Sequence, residues 1–156
     1  MEQTVKGEAT KVYLDTNVFI AAYESPGVRS DHAFWILTAI EQGDIQGVTS
    51  ELTLAELIPG PAQDGDSELV DAYKQLLNDG PNMEVRQVTR ETLIQSALLR
   101  VGRPGLKLPD AVHCATALRA DCLAMITDDR RMPKDVGLRI VGFGPHALTD
   151  VQAPNQ

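Results

Sequence analysis

The sequence predicts an α/β fold, a three-layer α/β/α sandwich on a mainly parallel, five-stranded sheet. Two observations carry this expectation. Apolar runs of four to six residues alternate with longer segments whose apolar residues recur at helical spacing. The first four runs are separated by helical segments, residues 128–137 read as a turn before the fifth, and strands joined by helical crossovers pair in parallel.

In chain order, KVYL (11–14) reads as a short buried strand, and NVFIAAYE (17–24) as a turn or two of helix stopped by Ser-Pro-Gly. SDHAFWILTAIEQG (30–43) is predicted as a helix capped by Ser30 or Asp31, with Phe34, Ile36, Leu37 and Ile40 as its apolar set and Gly43 as its stop. IQGVTS (45–50) is the second strand. Thr49 or Ser50 then caps a helix, ELTLAELI, that ends before Pro59. PGPAQDGDSE (59–68) has the composition of a loop, and SELVDAYKQLLNDG (67–80) shows apolar residues at 69, 70, 73, 76 and 77 before closing on glycine. MEVRQV (83–88) alternates like a strand, and TRETLIQSALLRVG (89–102) opens with capping-box chemistry at Thr89 or Arg90 and ends on glycine. RPGLKLPD (103–110) is a loop. DAVHCATALRAD (110–121) is a helix rich in small residues that allow close packing. CLAMIT (122–127) is a fully apolar fourth strand, LRIVGF (138–143) a fifth, and GPHALTD (144–150) leads to a tail with no clear structure. With no internal repeat or linker, residues 1–156 read as a single domain with its core at about 11–143.

Composition narrows the function classes. The chain is 43% hydrophobic and 23% charged, no apolar run approaches the roughly 20 residues that span a bilayer, and MEQTVKGEAT lacks the order of a signal peptide. A cytoplasmic protein with no membrane segment is expected. Two cysteines, Cys114 and Cys122, lack metal-site spacing and are expected to be buried reduced thiols. The net charge of −8 argues against a general nucleic-acid binder. However, residues 1–78 hold 4 Lys/Arg against 13 Asp/Glu, and residues 79–156 hold 10 against 9, so any anion-binding surface should come from the second half.

In open parallel sheets ligands bind beyond the carboxyl ends of the strands, and acids recur there. Asp15 follows the first strand, Glu56 lies on the helix after the second, Asp110 opens the small-residue helix, and Asp128 and Asp129 follow the fourth strand. Converging carboxylates without nearby bases indicate a hard metal ion. Taken singly, Asp15 and Asp110 read equally well as helix N-caps and Asp128 as a turn residue. Glu56 differs, because Leu52, Leu54, Ala55, Leu57 and Ile58 surround it and no Lys or Arg lies within a turn or two. Its carboxylate needs a partner. His113, on the same helix face as Asp110, reads as a packed or hydrogen-bonded histidine ahead of a substrate or metal contact.

The segments VYLDTNVFIAAY, VTSELTLAELI, LPDAVHCATAL and MITDDRRM resemble, in order and spacing, the four signature segments of PIN-domain ribonucleases. They are most similar to VapC-type toxins of type II toxin–antitoxin systems. The resemblance implies a PIN-like sandwich with catalytic, metal-holding acids at Asp15, Glu56, Asp110 and Asp129. Asp128 stands as a substitute for the last, and Thr16, Asn17 and Thr127 are supporting polar groups. It further implies Mg²⁺ or Mn²⁺ as cofactor and endonucleolytic cleavage of RNA to a 5′-phosphate and a 3′-hydroxyl. The implied partners are an RNA substrate, a VapB-like antitoxin that places a basic side chain near the acids, and a second copy of the chain, with Phe34 and Trp35 as a contact surface. Arg100, Arg103 and Lys107 before Asp110, and Arg130, Arg131 and Lys134 after Asp129, are candidate RNA-binding residues or else solvated surface charges. Two features depart from the family: Arg-Arg-Met follows Asp129 in place of an Asp-Phe pair, and the 59–68 loop is long.

Two other classes compete. A catalytically inactive PIN-fold binding or scaffold protein is disfavoured by retention of all the acids. An aspartyl-phosphate enzyme using Asp15 is disfavoured because Asn17 stands where haloacid-dehalogenase chemistry wants a second Asp.

Overall fold

The computed structural model describes residues 8–152. Strands β1 (Lys11–Leu14), β2 (Gln46–Ser50), β3 (Met83–Arg86), β4 (Ala124–Ile126) and β5 (Arg139–Val141) form one sheet in the order β3-β2-β1-β4-β5. Every neighbouring pair is parallel. The chain builds outward from β1 to β2 and β3, then returns to β1's other side for β4 and β5. The reversal lies between β1 and β4, where a parallel sheet opens a crevice at its carboxyl edge. Asp15 stands at that point, and its N–H donates to Ile126 O at 3.1 Å, carrying the ladder one residue past Leu14.

Side chains alternate along β1, so Val12 and Leu14 enter one core and Tyr13 the other. The first core packs helices α1 (Thr16–Glu24), α2 (Val28–Glu41), α3 (Glu51–Leu57), α5 (Ser67–Leu76) and α8 (Ala147–Gln152) against Val12, Leu14, Ala124 and Ile126. The second sets α6 (Arg90–Leu99) and α7 (Leu108–Arg119) against Tyr13, Val48 and Met125. Helix α7 is buried continuously from Ala111 to Ala117, which its alanines and single cysteine permit. A Cβ on Gly47 would lie 2.7 Å from Ile40 Cδ1, so this glycine lets α2 approach β2 closely. Cys114 and Cys122 are free and buried, and burial pushes both thiols up to about 12.

Several boundaries differ from the sequence expectation. Helix α2 starts at Val28 behind Gly27, whose φ of 76° suits glycine. Ser30 is not its cap, because its Oγ donates to Ala22 O at 3.0 Å and ties α2 to α1. The expected loop at 59–68 contains a short helix, α4 (Pro59–Gln63), since proline's fixed φ suits a first helical turn. The supposed tail forms α8, whose Ala147 and Val151 fill the first core. Helix α7 begins at Leu108, so Asp110 sits within its first turn and is not its cap. Among the described residues no helix is long and apolar enough to cross a membrane. Of the N-terminal stretch read above for a leader, residues 1–7 lie outside the described residues.

Thr49 ties the two central strands together near the carboxyl edge: its buried Oγ1 donates to Leu14 O at 3.0 Å and pairs with Thr53 Oγ1 at 3.0 Å. Thr49→Val keeps the shape and removes the donor. It is expected to lower unfolding free energy by about 1–3 kcal/mol, read as a lower urea midpoint with an unchanged m-value.

Candidate active site

Asp15 is 6% exposed, so its carboxylate depends on protein donors. It caps α1 by accepting Thr16 N–H on Oδ1 at 2.8 Å. Oδ2 accepts from Thr127 Oγ1 at 2.7 Å and from Asn17 Nδ2 at 3.2 Å. The cap and site readings of Asp15 are therefore compatible: a cap uses one oxygen, and the other faces β4. Thr127 Oγ1 also accepts from Asn17 Nδ2 at 3.0 Å and from the Asp129 N–H at 3.0 Å. Asn17 is thereby held with Oδ1 buried and unpartnered.

Glu56 corrects one premise of the sequence reading. Its helix turns Thr53 and Leu57 inward and leaves Ala55 and Glu56 at the surface, so the carboxylate is one-third exposed and not enclosed by apolar residues. The partner it needs comes from α7 and α1. His113 Nε2 lies 2.5 Å from Oε1, and Thr16 Oγ1 donates to the same oxygen at 2.9 Å. Burial pushes the Glu56 carboxyl up, but the His113 and Thr16 hydrogen bonds outweigh it and the net direction is down. His113 is 1% exposed, with Nδ1 2.6 Å from the Tyr13 hydroxyl. Burial, then the charge of Asp15, holds that hydroxyl protonated well above the usual tyrosine range. Tyr13 thus donates to Nδ1, leaving the Nε2–H tautomer to donate to Glu56. Nε2 is also 3.8 Å from Asp15 Oδ1, which links the glutamate to the aspartates.

Asp110 and Asp129 complete the acidic group in different states. No side-chain donor among the described residues bonds Asp110, and burial, then the charges of Asp15 and Asp129, raise its pKa. Asp129 is gripped by Arg131: Nε to Oδ1 and a terminal nitrogen to Oδ2, each at 3.1 Å, with the Arg131 N–H on Oδ1 at 2.9 Å. The Arg131 side chain is the main cause of Asp129's lowered pKa. Asp128 turns away from the other acids and pairs with Arg29 of α2. Of the two adjacent aspartates, Asp129 is the one coupled to Asp110.

The basic candidates divide. Arg100 Nε donates to Leu106 O at 3.0 Å. Arg103 donates to Leu99 O at 2.9 Å and pairs with Asp135 at 3.2 Å, so both brace the loop before α7. Lys107 lies near enough for its charge to lower the Asp129 pKa. Arg130 and Lys134 line a cavity beside Asp129. Tyr13 and Arg29 were not anticipated as parts of the site. A signal for Tyr13 existed, a hydroxyl in a buried strand that must find a partner, but nothing near Arg29 in sequence points to Asp128.

The donor chemistry suits a hard divalent cation: carboxylate oxygens, among them those of Asp110, which burial and then its acidic neighbours make hard to ionise, and a buried amide oxygen lacking a donor. Among the described residues, no three Asp, Glu, His or Cys groups already stand at ligation spacing. Asp129 is turned to Arg131 and Glu56 to His113.

A family model described as "PIN domain" matches residues 12–136. Several solved structures share the fold. A toxin–antitoxin complex from Klebsiella pneumoniae has 22% identity and a TM-score of 0.64, over 85% of this chain and 98% of that one. A sarcin–ricin-loop-cleaving toxin from Mycobacterium tuberculosis has 16% identity and a TM-score of 0.66, over 82% and 98%. A DNA-bound VapBC from Salmonella typhimurium has 20% identity and a TM-score of 0.63, over 86% and 99%. No curated protein sequence matches the chain.

Two substitutions should move stability in opposite directions. Because Asp110's pKa is raised on folding, the folded state holds its proton more readily than the unfolded chain, and stability falls as pH rises through the raised value. In EDTA at pH 7, Asp110→Asn is expected to show a higher urea midpoint than the parent, an advantage that fades towards about pH 3 as the carboxyl protonates in both states. His113→Ala leaves the Tyr13 hydroxyl buried without its partner and opens a cavity. It is expected to lose about 2–5 kcal/mol in the same titration.

Proposed function

The chain belongs to the PIN-domain family, and on that premise we propose that it is a divalent-metal-dependent endoribonuclease and the toxin of a VapBC-type toxin–antitoxin pair. The observation that carries this reading is electrostatic. Three aspartates are delivered by β1, α7 and the segment after β4, and burial, then the charges of Asp15 and Asp129, make Asp110 hard to ionise, which is unfavourable for stability and useful for holding Mg²⁺ or Mn²⁺.

Asp15, Asp110 and Asp129 would hold the ion, and Glu56 would complete the acidic set. Once bound, the ion would offset their repulsion and supply Lewis acidity for a phosphate oxygen and a water of lowered pKa. The chain's own groups orient the acids. Thr127 and Asn17 fix the plane of the Asp15 carboxylate, and Thr127 anchors the backbone of Asp129. His113 and Thr16 keep the Glu56 carboxylate charged and directed at the cluster, where it can accept a proton from an attacking water. Arg131 is exposed, so it could exchange Asp129 for a phosphate of the substrate.

Antitoxin partnership is supported by the relatives that are themselves toxin–antitoxin complexes. An antitoxin side chain near the acids would meet the same carboxylates that attract Arg131. Phe34 and Trp35, 40% and 53% exposed on α2, offer an apolar surface for a second copy. The cytoplasm is the compartment that fits reduced cysteines and an RNA substrate.

RNA cleavage by the purified chain tests the reading. Cleavage should require Mg²⁺ or Mn²⁺ and stop in EDTA. Thr127→Val should reduce it by roughly 10–100-fold as a group that orients a ligand, and Asp15→Asn by at least the upper end of that range. Cleavage that survives Asp15→Asn unchanged overturns the assignment, and RNA binding without metal-dependent cleavage would identify a binding module instead.

A further inference from the structure

Beyond Asp129, the carboxyl ends of β4 and β5 frame an open cavity of ≈ 530 Å³. Thr127, Asp128, Asp129, Arg130, Lys134 and Gly142 line it, and Arg29 reaches in from α2. Its charges do not cancel. Asp128 is paired with Arg29, and Asp129 with Arg131. Arg130 and Lys134 have no hydrogen-bond or ion-pair partner among the described residues, so the uncompensated charge facing the cavity is positive. By contrast, Arg100 and Arg103, on the loop before α7, are committed to Leu106 O, Leu99 O and Asp135. Arg29 is held from two sides: its carboxylate partner is Asp128, and its guanidinium carbon lies 4.9 Å from the centroid of the Phe143 ring. Nearly half of its side chain remains exposed, a fixed planar cation on which a base can stack.

We propose that this cavity is a nucleotide subsite of the nuclease, in which Arg130 and Lys134 hold a phosphate neighbouring the scissile one and Arg29 carries the attached base. The strand then leaves the acids across β4 and β5. The occupant that fits is a nucleotide unpaired at this position. A concave site takes a nucleotide swung out of its stack, whereas a duplex presents its phosphates on a convex surface and keeps its bases inside. The inference rests on the nuclease reading and narrows it.

The test uses full-length chain carrying Asp15→Asn, in Mg²⁺, with a fluorescent mixed-sequence single-stranded RNA decamer and its duplex as probes. The expected result is tighter binding of the single strand. Arg130→Ala and Lys134→Ala should each weaken it by about 3–10-fold, and each should flatten the salt dependence by roughly 0.7 in log–log slope. Gly142→Leu tests the cavity without touching charge: a Cβ there meets nothing closer than Thr127 O at 3.9 Å, so the variant should fold and still weaken binding by blocking the space. Lys74→Gln, which breaks an exposed pair with Asp71 on α5, should leave affinity unchanged. Equal affinity for RNA with and without the Arg130, Lys134 and Gly142 substitutions overturns the subsite while leaving the nuclease reading intact. Preference for the duplex, or for a polyglutamate peptide over RNA, also overturns it. Failure of the Asp15→Asn chain to bind any RNA overturns both.

Discussion

A carboxylate held at the end of the central strand governs the carboxyl edge of this protein. Asp15 lies at the point where the sheet reverses direction, almost without solvent, and three donors satisfy it: a backbone N–H from the helix it caps, a threonine from β4's end and an asparagine two residues on. Each ties down another element. Thr127 can reach Asp15 only if β4 lies beside β1 in register, and the same hydroxyl then fixes the Asp129 backbone. Removing the charge would leave the donors idle, and removing the donors would strand the charge. Strand order and site geometry are therefore one constraint.

Helix α7 transmits this constraint to the other acids. Its run of small buried residues brings it against β1 and β2, and that closeness puts His113 within reach of both Tyr13 below and Glu56 above. One turn earlier the same helix presents Asp110, for which no comparable donors are provided. The aspartates thus occupy different environments: Asp15 is hydrogen-bonded on both oxygens, Asp129 is paired with an exposed arginine, and Asp110 is left to burial and the field of the other two. A site stabilised at one acid and unrelieved at another is ready for a cation, because the ion relieves the acid the protein does not.

The acidic composition of the chain and its proposed substrate are reconciled by distribution and not by net charge. Cations near the site belong to two groups with different duties. Arg100 and Arg103, before α7, brace their own loop, while Lys107 lies near Asp129. Arg131 answers Asp129, and beyond it the pairing of Asp128 with Arg29 spends one further acid, leaving Arg130 and Lys134 uncompensated. The departure from the usual family residues after Asp129 falls at this place, and it sets Arg130 in the lining of the cavity beside Asp129.

Strand and helix order, the parallel sheet and the placement of acids just past strand ends were legible in the sequence because they depend on short-range periodicity and on turn residues a few positions apart. KVYL followed by Asp-Thr-Asn already indicated a strand that ends in a polar site. The sequence misread Glu56, since helical neighbours do not tell which way an amphipathic turn faces. It could not choose between Asp128 and Asp129, or separate bracing arginines from free ones. Those outcomes rest on hydrogen bonds and ion pairs between residues 57, 100 and 112 positions apart, such as His113 with Glu56, Tyr13 with His113 and Thr127 with Asp15. Such partners are chosen by which strand lies beside which. By itself the sequence determined which carboxylates reach the sheet edge. The tertiary structure decided which of them are satisfied, because only the packed sheet brings the donors to them.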